Sequence, residues 1–191
     1  MLTSLFKCIL VAISVSVVSL VSAIPTATDS DFPEVIPGPG LPSLASLGLT
    51  SEELYKRIPT PGTTFFLLLS ARMNGAVSEE MKRLQPLFTL ECGEVPPACP
   101  VADAVACFNF LNALGTTACT VNGETVTFCT SGSCHWFGSN ISGGSSASSF
   151  CQDVATGGNA VINTCQGNGF VDGANAANGN GNLIVTISAE S

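Results

Sequence analysis

Cys119-Thr120-Val121-Asn122-Gly123-Glu124-Thr125-Val126-Thr127-Phe128 is the stretch on which the reading of the fold turns. An Asn-Gly pair between two alternating apolar runs is the strongest short-range hairpin signal, because both residues tolerate the left-handed conformations of a tight turn. Counting outward from it pairs Val121 with Glu124, Thr120 with Thr125, and Cys119 with Val126. Cys119, Val121, Val126 and Phe128 then share one face, and Thr120, Thr125 and Thr127 the other, as strand alternation requires. A β-hairpin is the expectation here.

Upstream, residues 101–114 place Val101, Ala104, Val105, Phe108 and Leu111 at helical spacing, with Pro100 before them and Gly115 after. Those are the positions where the two residue types favour a helix start and stop. Downstream, residues 134–141 read as a third strand containing His135, Trp136 and Phe137, and residues 142–148 as a Ser/Gly loop. Ser149 and Gln152 have capping-box spacing for a second helix over 149–165. Its stripe is Cys151, Ala155, Gly158, Ile162 and Cys165; Gly157-Gly158 weakens a helix and signals close approach or a kink. Phe170-Val171 and residues 183–187 complete the sheet, with Leu183, Val185 and Ile187 on one face. The expected fold is α+β, an antiparallel sheet of about five strands with two helices packed on one face.

Nine cysteines occur, of which Cys8 stands apart near the start. The others, Cys92, Cys99, Cys107, Cys119, Cys129, Cys134, Cys151 and Cys165, form an even set that reads as four disulfides in an exported chain. A zinc site is disfavoured, since there is no CxxC pair and His135 is the only histidine; no metal or other cofactor is expected. Cys151 and Cys165 would lie about 21 Å apart along one helix and cannot bond each other. Cys119 and Cys129 fall on opposite faces of the expected hairpin and should not pair either. The second helix is therefore stapled to other elements at both ends.

Residues 1–23 have the layout of a secretory signal peptide: Lys7, an apolar run over 8–20, then Val21-Ser22-Ala23 with cleavage after Ala23. The run is shorter than the roughly 20 apolar residues of a membrane span, and no span is expected elsewhere. Residues 24–83 read as a pro-segment. Pro25, Pro33, Pro37, Pro39 and Pro42, interspersed with Asp29, Asp31 and Glu34, suggest disorder over 24–50. Ser51-Glu52-Glu53-Leu54-Tyr55-Lys56-Arg57-Ile58-Pro59 is then echoed by Ser78-Glu79-Glu80-Met81-Lys82-Arg83-Leu84-Gln85-Pro86. Acids first, basic residues last and a closing proline suit a short helix in each copy. The Lys-Arg pairs also match sites at which a kexin-type secretory protease cuts, after Arg57 and Arg83. The second meaning is favoured by a boundary in charge. No Lys or Arg occurs beyond position 83, where Glu91, Glu94, Asp103, Glu124, Asp153, Asp172 and Glu190 are found. Residues 84–191 thus read as the functional, disulfide-bonded module.

The order of elements, with Ala102-Asp103-Ala104-Val105-Ala106-Cys107, a cysteine at each end of the last helix, and Gly179-Asn180-Gly181-Asn182-Leu183-Ile184-Val185-Thr186-Ile187, resembles a fungal group of small secreted cysteine-rich proteins. That group includes the necrosis-inducing extracellular effectors of leaf-mould fungi and the viral killer toxin of smut fungi. The resemblance covers residues 101–188 and implies an α/β sandwich acting outside the cell. The toxin's effect on calcium channels relies on basic residues, which this module lacks.

For catalysis, His135 lacks a second histidine or a basic partner. Asp153 with Asp172 or Asp103 offers a carboxylate pair of the kind used in glycoside hydrolysis. For binding, the Ser/Gly loop, the Asn-rich turn over 175–182, Trp136 and His135 can line a sugar-binding surface, aromatic rings stacking on sugar faces while amides bond hydroxyls. Asn140-Ile141-Ser142 is the single glycosylation sequon. A formal charge of −8 disfavours nucleic acid. The expectation is a monomeric, non-catalytic secreted effector or toxin-like protein with an extracellular protein or glycan target. A glycan-binding module is the alternative, and a small carboxylate-dependent hydrolase the third reading.

Overall fold

In chain order the strands are β1 (Val35–Pro37), β2 (Glu91–Cys92), β3 (Cys99–Pro100), β4 (Ala118–Asn122), β5 (Thr125–Ser131), β6 (Cys134–Asn140), β7 (Ser146–Phe150), β8 (Phe170–Val171), β9 (Gly173–Ala177) and β10 (Asn180–Ser188). The helices are α1 (Ser51–Lys56), α2 (Val101–Ala113) and α3 (Cys151–Cys165). The computed structural model describes residues 31–57, 88–93, 97–178 and 180–189. The cut after Ala23, the second Ser-Glu-Glu repeat and the pair ending at Arg83 lie outside them.

Leu183, Val185 and Ile187 are fully buried on one face of β10, as their alternation requires. This strand is the spine of a six-stranded antiparallel sheet in the order β1-β5-β6-β10-β9-β2. Cys129 and Trp136 are register partners on that same face, where Cys107 of α2 and Gly158 of α3 meet them. The two long helices therefore lie side by side on one face, and the α+β expectation holds.

The expected hairpin does not form. Gly123 does turn the chain, with φ 91°, but β4 and β5 take different partners. Strand β4 pairs with β7 in a separate two-stranded sheet, Cys119 opposite Ser149 and Val121 opposite Ala147. Strand β5 pairs with β6, Thr125 opposite Ser139. The turn is held from outside: the Gly123 N–H donates to Ser145 O, and the Asn140 N–H to Glu124 O. Alternation fixes which side chains share a face, but it does not choose the neighbouring strand.

Two smaller corrections follow the same logic, and one expectation is met. The last helix starts at Cys151, while Ser149 belongs to β7, so the expected capping box is absent. Its first amides are satisfied instead by the turn after α2, with Cys151 N–H donating to Thr117 O and Gln152 N–H to Gly115 O. Phe170-Val171 pairs with Cys99-Pro100 in a ribbon of its own rather than joining the main sheet. Gly157-Gly158 marks close approach, because a Cβ on Gly157 would lie 2.4 Å from Ala176 O and one on Gly158 would enter the Trp136 ring.

Four disulfides join separate elements: Cys92–Cys165, Cys99–Cys134, Cys107–Cys129 and Cys119–Cys151. Helix α3 is held at both ends, at Cys151 to β4 and at Cys165 to β2. Cys119 and Cys129 are indeed unpaired with each other, though they are kept apart by two different sheets rather than by two faces of one hairpin.

Residues 31–50 are not disordered, and the short helix expected from Ser51 forms as α1. Strand β1 adds to the edge of β5, Val35 opposite Ser131 and Pro37 opposite Cys129, an edge position that tolerates a proline. Gly38 continues the contact, donating to Phe128 O so closely that a Cβ there would lie 2.0 Å from Thr127 O. Helix α1 is capped by Thr50 and Glu53 in a reciprocal box and buries Leu54 completely. Leu41, Leu44, Leu47 and Leu49 add to the core. Proline content suggested disorder, but regularly placed leucines supply enough apolar surface to offset the ordering entropy. This strap lies against α2, where Tyr55 meets Asp103 and Leu54 O meets Asn109; Asp103, Cys107, Asn109 and Phe110 are buried in addition to the expected stripe, while Val101, Val105 and Phe108 are only half-buried.

Candidate functional site

The start of α3 and the β9–β10 turn enclose an open groove of about 310 Å³, lined by Ala118, Ser148, Ser149, Phe150, Asp153, Asn178 and Asn180. Each wall has a local cause. The Asn180 side-chain amide donates to Ser148 O at 2.7 Å and its Oδ1 accepts from Asn182 N–H, which pins the Asn-rich turn to β7. Asn178 N–H donates to Asp153 O, joining the same turn to the helix. Ser148 and Thr120 hydroxyls lie 2.8 Å apart across the β4–β7 pair. Phe150 leaves the strand just before the helix and remains 50% exposed. The Asp153 carboxylate has no hydrogen-bond or ion-pair partner among the described residues, and no Lys or Arg exists beyond position 83 to provide one. A second, smaller recess of about 240 Å³ adjoins it, lined by Thr156, Gly157, Ala160, Asn175 and Asn178 among others.

The expected sugar-facing set is thus partly assembled. The Asn-rich turn and the end of the Ser/Gly loop do meet. Trp136 does not join them: it is wholly buried under Gly158, its Nε1–H without an acceptor among the described residues. His135 points to the other face of the sheet, where its ring stacks on Phe137 at 5.6 Å and Nδ1 lies 3.1 Å from Thr130 Oγ1. The exposed aromatic of the groove is Phe150. The signal for it in the sequence is that Phe150 is the one large apolar residue of 142–150, directly before Cys151.

The three candidate acids are not brought together as pairs with Asp153. Asp172 sits beside Gly93, near the Cys92–Cys165 bond at the far end of α3 from Asp153, a helix length of roughly 20 Å. Asp103 is buried and accepts from the Tyr55 hydroxyl at 2.7 Å. Ser131 Oγ lies 2.6 Å from the same phenol oxygen; with the phenol proton given to Asp103, Ser131 is the donor. Burial first, and the Asp103 carboxylate beside it, push the Tyr55 phenol well above its ordinary value, with the Ser131 bond opposing.

Asn140, in the sequon, acts as a clasp. Its Nδ2 donates to Gly123 O and Gly144 O, and its Oδ1 accepts from the Ser142 N–H and hydroxyl. A glycan on Nδ2 would replace one of those donated hydrogens. The eight expected disulfide cysteines are all bonded as stated above. Of the expected processing positions, Arg57 is described: it is exposed and extended, just past α1, while Lys56 forms an ion pair with Glu52. No described helix is long and apolar enough to cross a membrane, and no described group of His, Cys, Asp or Glu has the makings of a metal site.

A family model, a domain of unknown function designated DUF8794, matches residues 88–189. The chain belongs to that family. The DUF8794 region contains the main sheet apart from β1, both long helices, all four disulfides and the groove, whereas the strap over residues 31–57 precedes it. No curated protein and no solved structure matches the chain.

Proposed function

We propose that the protein is a secreted, non-catalytic recognition protein of the effector or toxin-like kind, acting on a target outside the cell through the groove at the start of α3. The observation that carries this reading is the chemistry of the groove. It offers one half-exposed ring, hydroxyl and amide groups, and a single carboxylate. Hydrolysis by two carboxylates needs a second acid within about 5–10 Å, and Asp172 and Asp103 are placed elsewhere. Four disulfides tying separate elements suit an oxidising, protease-rich exterior. The resemblance to fungal small secreted cysteine-rich proteins supports the same direction.

One feature favours a glycan as the target. Phe150 stands beside Ser149, Asn178 and Asn180, and an aromatic face flanked by amides is the common chemistry for holding a sugar ring. The test uses the full secreted chain, since residues 31–57 belong to its core. Glycan-array binding that drops at least tenfold in Phe150→Ala supports the glycan reading, and no binding to any glycan refutes it. Undiminished activity of Phe150→Ala on target cells would refute the groove itself. Release of reducing sugar that disappears in Asp153→Asn would overturn the non-catalytic assignment.

A further inference from the structure

We propose that hydrolysis after Lys56-Arg57 makes the protein a two-chain molecule, in which the strap ending at Arg57 stays docked as a non-covalent light chain on the disulfide-bonded DUF8794 domain. The proposal rests on the secretory reading and departs from the usual fate of a pro-segment, which is removal.

The cut position is presented by the fold. Arg57 is exposed and has left the helix, with φ −73° and ψ 108°. A dibasic-specific protease must draw a few residues into extended form, so Leu54 and Tyr55 leave their places for the cut and return after it; α1 has only six residues to unwind, a length that is marginal as an isolated helix. Water adds across the peptide bond between Arg57 and Ile58, leaving a carboxylate on Arg57 and an ammonium on Ile58.

Retention follows from what lies upstream of that bond. Every described anchor of the strap precedes the cut: the β1 ladder on β5, Gly38 against Phe128, the fully buried Leu54, and Tyr55 between Asp103 and Ser131. Asn109 completes the set, its Nδ2 donating to Leu54 O at 2.7 Å and to Arg57 O at 2.8 Å. After cleavage that second acceptor becomes a carboxylate, and hydrogen bonds to an ionised acceptor are shorter and stronger. No cysteine lies between Cys8 and Cys92, so nothing covalent would hold the light chain. Its removal would uncover the Asp103 and Asn109 side chains of α2.

The experiment is intact-mass analysis of the full chain as secreted into the medium by a eukaryotic host, run before and after native gel filtration without reductant. The expected result is a light chain ending at Arg57 that co-elutes one-to-one with the cysteine-containing chain and separates from it in guanidinium alone. A secreted protein with the bond after Arg57 intact overturns the proposal, and so does a cut domain eluting without its strap. Arg57→Gln should leave that bond uncut. Asn109→Ala should weaken retention at least tenfold, and Gly38→Ala provides the same test should the first variant not accumulate. Tyr55 is the only tyrosine, so phenolate absorbance reports docking directly: the midpoint should stay above its ordinary value in the cut protein and return to it in guanidinium. Absence of protein from the medium would refute export instead, and the cut is then decided by treating the full chain purified from cells with a dibasic-specific protease.

Discussion

Replacing Gly158 with alanine sets two known effects against each other. In a helix interior the change removes a glycine and should stabilise by about 1 kcal/mol. At this position the new Cβ would lie 2.1 Å from Cζ3 and 2.3 Å from Cη2 of Trp136, where carbon atoms prefer about 3.5–4.0 Å. The ring must therefore retreat by roughly 1.5 Å to restore ordinary contact, yet Trp136 is wholly buried and can move only against its packed neighbours. Overpacking of this kind typically costs about 1–3 kcal/mol, and a displaced tryptophan belongs at the upper end. The expected net effect is a loss of about 2 kcal/mol despite the better helix former. Because Trp136 is the only tryptophan, its fluorescence during guanidinium unfolding of the oxidised protein measures both the stability and the local change. Gly167→Ala is the control, since a Cβ there meets nothing within 4 Å, and its effect should stay within about 0.5 kcal/mol. Gly158→Ala with unchanged emission and equal or greater stability would refute the account of how α3 lies on the sheet.

Leu54→Ala should destabilise by about 2–5 kcal/mol in the same assay, because its side chain is completely buried between α1 and the rest of the core; a loss under 1 kcal/mol would mean the strap contributes little. The raised phenol of Tyr55 gives a pH signature. A folded value above the unfolded one stabilises fully at pH below the unfolded value of about 10 and is lost as pH rises beyond it. Thermal stability should thus decline through that alkaline range in the wild type and lose this component of the slope in Tyr55→Phe; identical slopes would argue against the burial of the phenol. Removing Cys92–Cys165, which spans 73 residues, should cost about 4.5 kcal/mol, against about 3.5 for Cys107–Cys129, which spans 22. Paired Cys→Ser variants compared by chemical unfolding test the order, and a reversed ranking would show that strain or residual unfolded structure dominates.

Much of the frame was legible because periodicity reports burial. Residues 101–114, 134–141 and 183–187 took the predicted helix and strand states, and the glycine pair in α3 did mark close contact. Partner choice was not legible. Nothing in Asn122-Gly123 tells whether the second arm folds back on the first, and β7, built from Ser146 to Phe150, has too few β-branched or aromatic residues to announce itself as the true neighbour of β4. The order of the strap is illegible for a related reason: proline frequency measures the local chain, whereas its order comes from contacts with α2 and β5 far along the sequence. At the groove, the Asn-rich turn and Ser148 could be foreseen as polar lining, but the choice between Trp136 and Phe150 as the exposed ring depends on which face of which element looks outward. Only the assembled sheet decides that.

The sheet ends on its two shortest strands, β2 with two residues and β1 with three. They are secured unequally. Strand β2 is bolted to α3 through Cys92–Cys165, while β1 is held by hydrogen bonds and by the leucines that follow it. Should the strap detach, the outer edge of β5 would present unpaired backbone donors and acceptors with no proline or charge of its own at that rim, interrupted only by the irregularity at Phe128 in its register with β6, a condition under which sheets recruit foreign strands. Self-association should therefore start at β5, and the strap doubles as a guard that keeps concentrated protein from growing sheet to sheet.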